Sequence, residues 1–171
     1  MSIAPEDTDL TDRPELTRAL MIKHLRAAND VARATMLAGH HPFGAVLVGP
    51  DQRTIIMTQG NLSTVDHAES TIARRAFEAL GPQALWQHTL YTTVEPCAMC
   101  AGTQYWANIG TLVYGISERD LLIMTGNHTE NPTMDLPCRE VFAHGQKQIR
   151  VFGPFPEIAE DVAALHRDFW R

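Results

Sequence analysis

The chain has 171 residues, 44% of them apolar and 20% charged, with a formal net charge of −6. That is the length and composition of one globular domain, and the acidic balance argues against a nucleic-acid surface, whose affinity comes largely from Lys and Arg on phosphates. The three cysteines make an odd count, which argues against a disulfide framework. No apolar run approaches the roughly 20 residues that cross a bilayer, and no secretory signal pattern opens the chain, so a cytoplasmic location is expected.

Residues 1–13 are acidic and polar and are expected to form a loose arm. From Pro14 to Leu37, apolar residues at helical spacing predict a helix. "GAVLV" (44–48) and "IIMTQG" (55–60), split by the turn "GPDQRT", predict a hairpin. Asp66 to Leu80 reads as a helix stopped by Gly81-Pro82. His88 to Val94 is strongly β-forming. "CAMCAGTQYWAN" (97–108) predicts a compact helix, and "GTLVYGI" (110–116) a strand. Residues 117–136 carry turn residues without a period and read as a loop, placed over a pocket. "PCREVFAHG" (137–145) is a short helix, "QIRVFG" (148–153) a last strand, and residues 156–170 a last helix with Pro156 at its start. The order α-β-β-α-β-α-β-α-β-α predicts an α/β fold, a three-layer α/β/α architecture with a mixed five-stranded sheet.

Two short stretches carry chemistry. In "TVEPCAMC", Cys97 and Cys100 share one face of a helix start, where free N–H groups favour thiolates. Alone, the pair suits a metal site, a redox dithiol or inert packing. In "DHAES", His67 and Glu69 open the preceding helix. Helices that follow neighbouring strands open at one sheet edge, where open α/β sheets place ligands. His67, Cys97 and Cys100 are therefore expected to meet as zinc ligands. Three protein ligands leave one tetrahedral position for water, the arrangement of a catalytic zinc. Glu69, not a ligand, then handles the proton of that water; its alternative is a capping carboxylate.

His-Ala-Glu followed about thirty residues later by Pro-Cys-x-x-Cys resembles the signature of the zinc nucleobase and nucleoside deaminases. The resemblance covers roughly residues 42–115. It implies the cytidine-deaminase-like fold, one Zn2+ per chain on His67, Cys97 and Cys100, and Glu69 as proton shuttle. It also implies base contact by Asn61 and backbone N–H groups of Ala68 and Cys97 near the substrate. "PFGAVLV" and "EPCAMCAGTQYWA" are most similar to bacterial guanine deaminases; "EPCAMCAG" also resembles tRNA adenosine deaminases, and the yeast-type cytosine deaminase shares the plan. Phe43 and Trp106 are expected to flank a flat ring or else to pack the core. By the same resemblance Phe169 and Trp170 help close the site, with a docked helix end as the alternative, and Asp120 relays protons. Cys138 reads as an ordinary buried thiol.

The expected activity is zinc-dependent hydrolytic deamination of a small nucleobase or nucleoside, a guanine-like purine first. The expected partners are the heterocycle and water, with no membrane or nucleic acid, in a homodimer implied by the resemblance. The alternatives are a tRNA adenosine-to-inosine deaminase and a non-catalytic zinc scaffold.

Overall fold

The computed structural model describes residues 15–170. The expected loose arm and Pro14 lie outside the described residues. Helix α1 (Arg18–Leu37) begins where Thr17 Oγ1 accepts a hydrogen bond from the Leu20 N–H at 3.2 Å, a cap that satisfies one free helix-end donor. Its buried residues, among them Met21, Leu25, Ala28 and Ala32, recur every three or four positions and lie on one face. Strand β1 (Gly44–Val48) is wholly buried and pairs antiparallel with β2 (Ile55–Gly60), giving the expected hairpin. Gly44 has to be glycine, because a Cβ there would run into the backbone of Ala28 and Ala32 on α1.

Helix α2 (Ala68–Leu80) ends at Gly81, whose φ of 76° suits glycine. A short α3 (Pro82–Leu85) follows, which the sequence reading did not separate from the helix stop. Then come β3 (Thr89–Val94), α4 (Ala98–Ala107) and β4 (Thr111–Ile116). The stretch read as loop after Ile116 contains a further helix, α5 (Glu118–Thr125), before an irregular segment. Ser117 caps α5, its Oγ accepting from the Asp120 N–H at 3.0 Å. Helix α6 (Cys138–Ala143), strand β5 (Arg150–Phe152) and helix α7 (Pro156–His166) complete the chain.

The sheet order is β2-β1-β3-β4-β5, with β1 antiparallel to both neighbours and β3, β4 and β5 parallel. This is the expected mixed five-stranded sheet. Alternation along its strands feeds two cores. Ala45, Leu47 and Leu90 join the side chains of α2, α4 and α6, whereas Val46, Val48 and Tyr91 join those of α1, α5 and α7. Each fully buried Leu or Ile in these layers contributes about 1.5–3 kcal/mol of transfer free energy. Strands β2, β3 and β4 run in one direction, so α2, α4 and α5, which follow them, all start at one sheet edge. Among the described residues no helix is long and apolar enough to cross a membrane.

Candidate metal centre and active site

His67 and Cys97 are the N-cap residues of α2 and α4, both in extended conformation, and Cys100 lies in the first turn of α4. Their donor atoms all fall within 4.8 Å of one another. Cys97 Sγ is 3.7 Å and Cys100 Sγ 3.5 Å from His67 Nδ1. A tetrahedral zinc with sulfur at ~2.3 Å and nitrogen at ~2.0–2.1 Å separates those two donors by ~3.6 Å. The donor set thus fits zinc by both chemistry and spacing. Among the described residues no fourth His, Cys, Asp or Glu joins the cluster.

The electrostatics prepare a thiolate. The neighbouring Cys100, with His67 beside it, holds Cys97 down to about 4, and the pairing with Cys97 raises Cys100 together with burial. The Cys97 sulfur in turn raises His67, against the effect of burial.

Glu69, one helical residue past Ala68, is only 5% exposed. Its Oε1 accepts from Thr92 Oγ1 at 2.8 Å, and its Oε2 lies 3.7 Å from Cys100 Sγ. Burial raises its pKa. His67, Glu69 and Cys97 together form part of the wall of a cavity of about 110 Å³. Phe43, Val94 and Leu121 supply apolar wall, and Asn131 to Met134 line it from the segment after α5. A larger groove of about 550 Å³ runs along α1, past Lys23 and Arg26, but shares no residue with the donor cluster.

The other residues singled out from sequence are placed variously. Ala68 is buried at the start of α2, where backbone N–H groups lack helical partners. Phe43 lines the cavity. Asn61 is buried at the end of β2 with its Nδ2 on the Ser63 carbonyl at 3.1 Å, and it is not part of the cavity wall. Trp106 stands 77% exposed on α4, outside the cavity, packed edge-on against Tyr105. Nearly two helical turns separate it from Cys100, which carries it off the ligand face. Asp120 is exposed and takes the Ser117 hydroxyl at 2.7 Å, a capping contact away from the cavity wall. Phe169 and Trp170 pack on each other and on His41, and Trp170 stands 6.2 Å from Phe43 between ring centroids. Neither lines the cavity; Trp170 backs Phe43, which does. Cys138 is buried, as expected.

The sequence reading missed two buried carboxyls in the wall, Glu95 and Glu118. Glu118 is pushed up to about 8, chiefly by burial. The Ser117-x-x-Asp120 capping pattern could have signalled a helix start here and so placed Glu118 at the ligand edge of the sheet.

Comparison with known proteins is consistent with this geometry. The family described as "Cytidine and deoxycytidylate deaminase zinc-binding region" matches residues 20–116. A Schizosaccharomyces pombe protein named "Probable cytosine deaminase" is 31% identical over 159 residues, covering 87% of this chain and 91% of its own. Guanine deaminase of Bacillus subtilis is 41% identical over 83 residues, 46% of this chain and 53% of its own length. A solved structure from work on A-to-I editing by tRNA:A34 deaminases superposes with a TM-score of 0.64 at 28% identity, over 84% of this chain and 99% of that one.

Proposed function

The chain belongs to the cytidine and deoxycytidylate deaminase family, and from that premise we propose that it hydrolytically deaminates a small amino-bearing nucleobase or nucleoside, releasing ammonia. The observation that carries the reading is the clustering of His67, Cys97 and Cys100 beside a buried Glu69, with His67, Cys97 and Glu69 lining one small cavity. His67, Cys97 and Cys100 would hold the zinc, which when bound supplies Lewis acidity that brings the pKa of water toward ~7. Glu69 takes a proton from the attacking water and delivers it to the substrate nitrogen that leaves. Water adds at the amino-bearing carbon, the C–N bond breaks, ammonia departs and a carbonyl remains. Thr92 holds Glu69 through its hydroxyl, and Phe43 offers an apolar face to a flat ring.

Two rings compete. The central motif ranks a guanine-like purine first. The similarity to the fungal cytosine deaminase extends over most of the chain, including the pocket segment after Ile116, and supports a cytosine-type ring. Charge speaks against the tRNA alternative: Glu95 in the wall, in a chain of net charge −6, opposes phosphate. The scaffold alternative has no use for a buried carboxylate held beside the donors. A homodimer belongs to the same reading, with exposed Met99 and Trp106 on α4 as apolar surface for it. The test is ammonia release by zinc-loaded protein from cytosine, guanine, adenine and their nucleosides. We expect turnover of at least one of them; no turnover of any refutes the proposal.

A further inference from the structure

Besides Glu69, two carboxyl groups line the cavity, and the fold employs them differently. Both oxygens of Glu95 are engaged by backbone amides: Oε1 accepts from Cys138 N–H at 2.8 Å and Oε2 from Glu118 N–H at 3.1 Å. Glu95 therefore ties the starts of α5 and α6 to the end of β3. Glu118, 4% exposed, commits only Oε2, which accepts from Leu136 N–H at 3.2 Å. Its Oε1 has no hydrogen-bond partner among the described residues, yet it is not sealed off from the cavity that the residue lines. An acceptor oxygen open to the cavity and uncommitted within the fold is free to take a hydrogen bond from a bound donor.

The Glu118 backbone is anchored by Glu95 and the side chain by Leu136, so the free oxygen has a fixed position. The cavity, about 110 Å³, is well below the ~300 Å³ at which drug-sized sites begin, and a base with its sugar would crowd it.

We propose that Glu118 is a specificity-determining residue whose free Oε1 accepts a hydrogen bond from the ring N–H that a nucleoside has lost to its sugar, so that the site selects free bases. The inference rests on the deaminase reading above and adds to it the choice of base over nucleoside. An N–H donor on Oε1 also favours the ionised carboxyl and so offsets the effect of burial. Glu95 and Cys97 add negative charge around Glu118, whereas Asp135 is paired with Arg119 at 2.6 Å, so a neutral ring with a donor edge suits the position.

The test compares the zinc-loaded wild type with Glu118→Gln on cytosine and guanine and on 1-methylcytosine and 9-methylguanine, which lack that N–H. A site built around a hydrogen bond rejects the analogue that cannot make it, and we expect the wild type to prefer the free base by at least about tenfold in kcat/KM. The Gln amide can keep the Leu136 contact with its oxygen but then turns N–H groups toward the ring. In this variant KM for the free base rises by about tenfold, more than kcat falls, and the preference over the methylated base collapses. A purely structural Glu118 would lower the melting temperature and leave the preference intact, which overturns the proposal. If the variant does not fold, the wild type decides alone: equal handling of base and N-methyl base overturns it. Calorimetric binding of the same four ligands reads the contact even where no ammonia forms, so failure of the deaminase reading and failure of the Glu118 assignment are distinguishable.

Discussion

Glu69→Gln isolates the proton-transfer role with the least change of shape. The amide oxygen can still accept from Thr92 Oγ1, which lies 2.8 Å from the carboxylate. The side chain keeps its volume in a site only 5% exposed, so packing is preserved. What is lost is the capacity to take up and release a proton, an effect of roughly 10²–10⁴ in rate, or about 3–5 kcal/mol of barrier. The fold should gain rather than lose. Burial raises the carboxyl pKa, which means that folding disfavours the charged form at neutral pH; the neutral amide escapes that penalty. Three readouts belong together: ammonia release on a confirmed substrate, zinc per chain, and the melting temperature of the metal-free protein. We expect kcat to fall by two to four orders of magnitude, zinc to stay near one per chain, and the melting temperature to hold or rise. Activity within about threefold of wild type would refute the proton role, being far below the loss expected of a general acid–base. Loss of zinc would show Glu69 to be a ligand.

Other substitutions probe neighbouring links. Cys100→Ser removes one thiolate from a three-donor site, and zinc should then be lost on dialysis against a mild chelator; retention of a full equivalent by metal analysis would contradict the ligand set. Thr92→Val leaves the Glu69 oxygen without its hydroxyl partner and should cost about 1–3 kcal/mol of stability in denaturant titrations, with zinc retained and kcat reduced. His166 is driven down to about 4 by burial and accepts the Trp170 indole N–H on Nδ1 at 3.1 Å. Its folded pKa lies below the unfolded value of 6.5, so below pH 6.5 the unfolded chain takes up the proton first. Stability from this group is fully present above pH 6.5 and is lost as pH falls toward 4, by up to about 3 kcal/mol. Denaturant midpoints between pH 4 and 7.5 should show that slope in the wild type and a shallower one in His166→Gln; equal slopes would contradict it.

The metal centre was legible because its information is local. His67 and Glu69 lie within one helix start, and Cys97 and Cys100 within another. The strands before α2 and α4 are apolar enough to fix both starts at the same sheet edge. The hairpin of Gly44–Val48 with Ile55–Gly60 was legible for a similar reason, since a turn of fixed chemistry separates two β-forming runs. The rest of the pocket depends on contacts that span long stretches of sequence. Glu95 acts on amides of Glu118 and Cys138, and nothing near Glu95 announces those partners. Helix α5 has a weak apolar pattern, and its Ser117 cap sits in a stretch rich in turn residues. Trp106, by contrast, reads as a ring for stacking because it is aromatic and near the cysteines, yet helical geometry carries it to the exposed face of α4.

The central claim is a zinc held by one imidazole and two thiolates, with its fourth position left to solvent and substrate. X-ray absorption at the zinc edge on the metal-loaded protein tests it most directly. The account predicts one zinc per chain with two sulfurs at ~2.3 Å and the remaining donors nitrogen or oxygen at ~2.0–2.1 Å. A shell of three or four sulfurs, or of four protein donors with no exchangeable position, would contradict it, as would a protein that binds no zinc at all.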